Sequence, residues 1–232
     1  MAWGFYRVPE RDLRLLGPVR GRDVLELGCG SAYWSAGLRK RGARTVGIDL
    51  SRPRLLQALR VQRTMRTAFP LVRCDAERLP FRDRSFDVAF ADWGAFTFSD
   101  PHRAIPEAAR ILRVGGVLVL ATGSPWRALA QTGRMGRLGR TLRRDYFGLT
   151  STREPDLTVF HLGYSDWVRL FLDCGLRVER LEEPRAPKAP RSSFLTRQEQ
   201  AWGRRWPLES IWRVRKEPRR RPARSVRGTP PR

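Results

Sequence analysis

The sequence has few of the side chains that bind metal ions or form disulfide frameworks. Its 232 residues include three cysteines and two histidines. No C-x-x-C pair and no cysteine–histidine spacing typical of a metal site is found among them. We therefore expect no metal site. We also expect each thiol to be a small buried group in a reducing, cytoplasmic compartment; the cysteines are Cys29, Cys74 and Cys174.

Long apolar runs are also missing. The longest stretch, VGGVLVLAT, is far too short to cross a bilayer. The first residues, MAWGFYRVPERD, do not contain the continuous apolar segment of a signal peptide. The sequence therefore predicts neither a membrane span nor a signal peptide.

Lysine is scarce, although the chain is strongly basic. Only 3 of its 46 basic residues are lysine, and the net charge is +23. This excess requires counter-ions or acidic partners. Residues 216–232 are rich in proline and arginine, and we expect them to be a disordered basic tail.

Short apolar segments alternate with amphipathic ones over residues 22–122. This alternation predicts an α/β fold with a parallel sheet covered by helices on both faces. Strands are expected at 22–27, 43–50, 71–74, 86–92 and 117–122, and helices at 9–16, 31–41, 51–63 and 104–112.

Some helices carry more detailed expectations. Helix 51–63 should be capped by Ser51 and should place Leu55, Leu56 and Leu59 on one face. In the helix around Ala104, Pro106 should lie in the first turn, because an interior proline breaks a helix. We expect a further helix in residues 164–176, with Ser165 as its cap and with Val168, Phe171 and Leu172 facing inward.

The second half of the chain has less regular patterning. Residues 123–160 contain many arginines and scattered glycines, and we expect a basic insertion, partly helical, that serves as a lid. Strands are expected at 177–183 and 209–216, on either side of a loop at 184–193. The expected domain therefore spans residues 1–215, with its core at 21–122 and closing elements at 161–215.

A glycine turn follows the first strand, in the sequence VLELGCGSAYWS. A dinucleotide site needs a third glycine where Tyr33 stands, and no Lys-Ser/Thr pair of a phosphate-binding loop follows. The turn is preceded by Glu26, and Asp49 and Asp75 follow the next two strands. Carboxylates at this edge would repel phosphates and suit a cationic ligand that carries hydroxyl groups.

Several segments together resemble class I S-adenosylmethionine-dependent methyltransferases. The segments are ELGCGSA, GIDLS, RCDAERLPF, FDVAFADW and RVGGVLVLAT, and the likeness is greatest to the small-molecule branch similar to ubiquinone- and menaquinone-biosynthesis methyltransferases. The resemblance implies a doubly wound, mostly parallel, seven-stranded Rossmann-like sheet whose last strand is antiparallel. It also implies S-adenosyl-L-methionine as cofactor.

The resemblance assigns roles to individual residues. Glu26 would steady the turn and the cofactor's amino group, Asp49 would bind the ribose hydroxyls, and Asp92 would border the site of methyl transfer. The third glycine of the family is Ala32 here, which we expect to tighten the turn without loss of binding. The full set implied to bind the cofactor comprises Glu26, Gly28, Cys29, Gly30, Asp49, Leu50, Asp75, Ala76 and Asp92, with Asp75 and Ala76 at the adenine.

An acidic acceptor would also need a base, and a histidine is the natural candidate. We favour His161 over His102, because many relatives have a histidine at the corresponding position. Trp93, Phe96 and Phe98 are expected to line an apolar acceptor pocket. The aromatic residues Trp3, Phe5 and Tyr6 would either cover the cofactor or anchor the first helix.

Two other functions stay open at this point. Methylation of RNA is supported by the basic tail, since such segments bind phosphate backbones. The turn after the fourth strand argues against it, because DWGA replaces the D/N-P-P-Y/F of enzymes that methylate base amines. The other alternative is a methyltransferase-like binding protein without activity, which the intact acids make less favoured. Oligomeric state is left unassigned.

Overall fold

The computed structural model describes residues 1–132, 138–154, 157–189 and 193–218. The tail expected at 216–232 therefore lies outside the described residues from position 219 onward. Lys216 is the last residue of a strand. In the described part of the chain, no helix has the length and apolar character needed to cross a membrane.

The elements alternate along the chain much as the sequence predicts. The strands are β1 (Ala2–Trp3), β2 (Val8–Pro9), β3 (Asp23–Leu27), β4 (Arg44–Asp49), β5 (Leu71–Arg73), β6 (Phe86–Asp92), β7 (Leu112–Gly123), β8 (Ser151–Glu154), β9 (Leu157–Phe160), β10 (Leu176–Glu182) and β11 (Glu209–Lys216). The helices are α1 (Glu10–Leu13), α2 (Tyr33–Lys40), α3 (Arg52–Thr64), α4 (Ala95–Phe98), α5 (Pro101–Ile111), α6 (Pro125–Ala130), α7 (Tyr164–Asp173) and α8 (Arg197–Gly203).

Seven strands form the central sheet in the order β10-β11-β7-β6-β3-β4-β5. Strand β11 runs antiparallel to both neighbours, and the pairs from β7 to β5 are parallel. This arrangement confirms the predicted Rossmann-like sheet with an antiparallel last strand. The chain reverses its direction of winding between β3 and β6, and ligands bind at such a switch point, outside the carboxyl ends of the strands.

Two apolar clusters cover the two faces of the sheet. One joins the strands to α5 and α7 through Ile105, Trp167 and Phe171, all nearly free of solvent contact. The other joins them to α2 and the N-terminal segment through Trp3 and Trp34. The sheet is thus buried on both sides, as its continuous apolar strands predict.

Helix α3 is capped by Ser51, whose hydroxyl accepts from the N–H of Arg54, but its buried face differs from the prediction. Ala58 and Val61 are buried, Leu55 is half-buried, and Leu56 and Leu59 are exposed. The prediction for the two exposed leucines is therefore wrong. Two apolar stripes at helical spacing overlap at Leu55, and the stripe of smaller side chains packs on the sheet.

The prediction that Pro106 lies in the first turn of helix α5 is wrong. The helix starts at Pro101, capped by the side chain of Asp100, and Pro106 lies in its interior. Pro106 is on the exposed face, so water can hydrogen-bond to the carbonyl that the missing N–H leaves free.

Helix α7 also departs from the expected pattern. It is capped by Gly163 rather than Ser165. Phe171 is buried as predicted, but Val168 and Leu172 are largely exposed, and Trp167 and Leu170 take the inward positions.

Short elements that the sequence did not indicate complete the fold. Strands β1 and β2 pair within the N-terminal segment, and β8 and β9 form a hairpin inside the basic insertion. Helices α4 and α8 are also additions, whereas α6 lies in the insertion that the sequence predicts to be partly helical. Helix α8 begins with a capping box between Thr196 and Glu199, which is a local T-x-x-E pattern in the sequence.

Candidate functional site

Two tight turns meet at the carboxyl edge of the sheet, after β3 and β6. A Cβ added to Gly28 would lie 2.4 Å from the backbone nitrogen of Ala95, and one added to Gly94 would lie 2.3 Å from the carbonyl oxygen of Leu27. Any side chain at either position would collide with backbone. The close approach of these turns fixes the floor of the site.

The next glycine faces open space instead. Gly30 has φ +53, and a Cβ there would have no heavy atom within 4 Å. Its N–H donates to Asp49 Oδ2 at 2.8 Å, while Oδ1 accepts from the N–H of Ser51 at 2.8 Å. The Asp49 carboxylate is thus held in place by the turn and by the start of α3.

Glu26 is buried beneath the same turn. Its Oε2 accepts from the N–H of Ser35 at 2.9 Å and from the Ser35 hydroxyl at 2.5 Å. Burial raises the pKa of Glu26 to about 8, and the bonds from Ser35 oppose this shift only in part. The charged form of this carboxyl is therefore disfavoured.

Asp92 ends strand β6 and holds two other elements. Its Oδ1 accepts from the N–H of Gly4 at 2.8 Å, and its Oδ2 accepts from Trp34 Nε1 at 3.2 Å. Burial raises the pKa of Asp92, and the bonds from Gly4 and Trp34 oppose that shift. The carboxylate thus joins the sheet to the N-terminal segment and to α2.

These groups line one cavity of about 1090 Å³. Four acids, Glu26, Asp49, Asp75 and Asp92, contribute to its wall. All nine residues that the sequence implied for cofactor binding lie along it: Glu26, Gly28, Cys29, Gly30, Asp49, Leu50, Asp75, Ala76 and Asp92.

The N-terminal segment closes one side of this cavity, held by a carboxylate that the sequence reading missed. Glu209, at the start of β11, is fully buried. Its Oε2 accepts from the N–H of Phe5 at 2.8 Å and from Trp93 Nε1 at 2.9 Å, and its Oε1 accepts from the N–H of Tyr6 at 3.4 Å. Burial raises the pKa of Glu209 to about 7. No local pattern distinguishes this glutamate, because its partner Phe5 is 204 residues away.

The aromatic residues divide between core and cavity. Trp3 and Tyr6 are buried and anchor the N-terminal segment, whereas Phe5 lines the cavity and packs on Trp93 with ring centroids 4.1 Å apart. Of the three aromatics expected at an acceptor pocket, Trp93 and Phe98 line the cavity. Phe96 is buried in the core instead.

The two histidines lie in different surroundings, and neither is a lining residue of the cavity. His102 is exposed on α5. His161 is buried, and its Nε2 lies 2.9 Å from the hydroxyl of Thr152. Burial, together with the charges of Arg127 and Arg144, lowers the pKa of His161 to about 4. Its role as a base stays a prediction.

Comparison with known proteins agrees with this geometry. Residues 25–120 match the family model described as a methyltransferase domain. This part of the chain is therefore similar to methyltransferase domains. The Mesorhizobium loti S-adenosylmethionine-dependent methyltransferase shares the fold, with a TM-score of 0.74 and 24% identity over 89% of this chain and 96% of that one.

Relatives of the methyltransferase domain include two kinds of named enzyme. A demethylmenaquinone methyltransferase of Mycolicibacterium paratuberculosis is 35% identical over 157 residues, covering 67% of this chain and 64% of the relative. A malonyl-[acyl-carrier protein] O-methyltransferase of Serratia marcescens is 33% identical over 115 residues, covering 50% of this chain and 44% of the relative. The chain thus spans less than half the length of the Serratia enzyme.

Proposed function

We propose that the protein is an S-adenosylmethionine-dependent methyltransferase that moves a methyl group to a small-molecule acceptor by direct displacement. The observation that carries the proposal is how the cavity's acids are bound. Glu26, Asp49 and Asp92 accept hydrogen bonds only from neutral donors, and no ion pair is found for them within the described residues. No guanidinium among the described residues pairs with these carboxyls, so a bound cation would stabilise the ionised forms of Glu26 and Asp92.

The residues of the site fit the cofactor. The open position at Gly30 leaves room for a ligand against the backbone, and Asp49 presents a carboxylate fixed by two N–H groups. We assign Asp49 to the ribose hydroxyls, Asp75 and Ala76 to the adenine, and Glu26 with the glycine turn to the amino-acid part. When bound, the cofactor supplies an electrophilic methyl group on a sulfonium centre.

The chain's own residues contribute alignment and exclusion of water. The Phe5–Trp93 pair closes the cavity on the side of the N-terminal segment, and Asp92 holds that segment through Gly4. Trp93 and Phe98 give the wall near Asp92 an aromatic character, which favours an apolar or aromatic acceptor. We propose that the insertion at 123–160 serves as a lid over the site. We also propose that residues 1–215 form one domain.

Binding of S-adenosylmethionine and of S-adenosylhomocysteine, measured by calorimetry, tests this assignment. Asp49→Asn keeps the size of the side chain and removes its charge, so we expect affinity to fall by about 10- to 100-fold, as for one or two charge-assisted hydrogen bonds. Asp166→Asn, outside the cavity on α7, is the matched control and should bind normally. If the wild-type chain takes up neither ligand, the proposal is wrong.

The base is tested separately. His161→Ala should lower turnover and leave cofactor affinity unchanged, because His161 lies outside the cavity lining. Thr152→Val, which removes the hydroxyl partner of His161, tests whether that contact positions the ring. Unchanged turnover in His161→Ala would remove its role as base.

The acceptor class is tested with radiolabelled S-adenosylmethionine and a fractionated cell extract. We expect the label in the small-molecule fraction, and we propose a cytoplasmic location because the three cysteines are free thiols. The tail is proposed to be dispensable, so deletion of residues 217–232 should leave turnover intact. Label in RNA that disappears with this deletion would establish the nucleic-acid alternative instead.

A further inference from the structure

One exposed helix face combines arginine and leucine without any acid. On α3 five exposed residues lie within one arc of about 100°, because 100° separates successive residues of a helix: Arg52, Leu56, Leu59, Arg60 and Arg63. Leu56 and Leu59 are 49% and 42% exposed. We call these five residues the α3 face.

The arginines of the α3 face differ from those of the rest of the surface. No aspartate or glutamate occurs between Leu50 and Cys74. Among the residues that the structure describes, no carboxylate pairs with Arg52, Arg60 or Arg63, whereas arginines on other elements form many ion pairs. Like charges one turn apart destabilise a helix, so this arrangement has a cost for folding.

Apolar side chains are also exposed at the mouth of the cavity. Four exposed side chains line it: Tyr33, Leu50, Phe98 and Phe194. Their exposed fractions lie between 53% and 72%. Leu50 precedes α3 by two residues, so one of them lies beside the start of the helix that carries the α3 face.

We propose that the α3 face docks on an anionic lipid bilayer. Arginines can bury their aliphatic parts and keep the guanidinium among lipid phosphates, while Leu56 and Leu59 enter the acyl boundary. Nucleic acid would pair with the arginines but would leave the leucines in water. A second copy of a chain with a net charge of +23, or the chain's own basic tail, would be repelled.

Co-sedimentation of the full-length protein with phosphatidylglycerol–phosphatidylcholine vesicles tests the proposal, with pure phosphatidylcholine vesicles as reference. We expect binding to the anionic vesicles only. The double variant Arg60→Gln/Arg63→Gln should lower the partition coefficient by about 25-fold, since each cation near such a surface contributes about fivefold. Leu56→Ser/Leu59→Ser should lower it by about as much, because half a leucine side chain leaves the bilayer in each case.

Controls separate the α3 face from the general charge of the protein. Leu172→Ser and Arg169→Gln change an exposed leucine and an arginine that is paired with Asp166, and neither should affect vesicle binding. The tail is present in every variant, so the ratios between variants report α3 alone. Circular dichroism and calorimetric binding of S-adenosylmethionine without lipid check the fold and the proposed function independently.

Three results would overturn the proposal. The wild-type protein could fail to prefer anionic vesicles. The α3 variants could bind vesicles as the controls do. The leucine variant could lose affinity for single-stranded RNA or for an acidic protein while its vesicle binding stays unchanged, which would assign the face to that partner.

Discussion

Replacement of Glu209 by glutamine tests how a buried carboxylate holds the N-terminal segment over the cavity. Three donors converge on Glu209: the N–H groups of Phe5 and Tyr6 and the indole N–H of Trp93. Glutamine has nearly the same shape but keeps only one acceptor oxygen, and its amide group would face a donor. Some of these donors must then lose their partner or move.

The structure also predicts how the stability of this variant depends on pH. Burial raises the pKa of Glu209 from 4.5 to about 7. The folded protein therefore holds this proton more tightly than the unfolded chain, so its contribution to stability is greatest below about pH 4.5 and is lost as the pH rises through about 7. Between about pH 5 and pH 8 the loss amounts to about 2–3 kcal/mol. Glu209→Gln has no such proton and should lack this part of the pH dependence.

Urea unfolding at both pH values measures the effect. The stability difference between the two pH values should be about 2–3 kcal/mol smaller in Glu209→Gln than in the wild type. Glu26 is present in both proteins, so its contribution cancels in the comparison, and the difference reports Glu209 together with its coupling to Asp92. Glu217→Gln, at a side chain that is 43% exposed and follows the same strand, should behave as the wild type. Equal pH dependence in wild type and Glu209→Gln would refute the reasoning.

Three further changes have defined outcomes. Gly94→Ala places a methyl group against backbone and should cost more than about 3 kcal/mol, whereas Gly115→Ala, in open space at φ +81, should cost about 1 kcal/mol; equal shifts in thermal unfolding would contradict this. Arg110→Gln breaks a half-buried network and should cost about 2 kcal/mol in urea, and a loss within error would show that the network is not stabilising. Ser35→Ala should raise the pKa of Glu26 above about 8 in a carbon-13 titration, and an unchanged value would contradict the assigned bond.

Much of the fold is predictable because its signals are local. Short apolar segments define β3, β4 and β6, and β11 matches its predicted range of residues 209–216. The buried face of a helix is less certain, because several stripes satisfy the same spacing. In α3 the stripe through Leu55, Ala58 and Val61 faces inward, although the stripe through Leu56 is more apolar. Tertiary packing decides between such stripes.

In the candidate site, too, some residues are predictable from local sequence and others depend on long-range contacts. Its acids stand at strand ends, where the position in the sequence already implies the edge of the sheet, and all of them line the cavity. Glu209 also begins a strand, but its contacts with the first six residues depend on how the two ends of the chain come together. The pairing of Trp93 with Phe5 depends on the same long-range contact.

The acids of the site differ from acids elsewhere in the protein, because arginines pair with the latter and not with Glu26 or Asp92. Arginine is abundant in this chain, and acids at other positions form ion pairs with it. Asp23 pairs with Arg44 at 2.6 Å, and Glu107 pairs with Arg110 at 2.7 Å. The pKa of each of these paired carboxyls is lowered by its arginine. Glu26 and Asp92 have the opposite shift, because burial disfavours their charge and the neutral donors around them oppose this only in part. A bound cation would supply the missing charge, so both pKa values should fall when a sulfonium ligand binds and should fall less with its neutral thioether product.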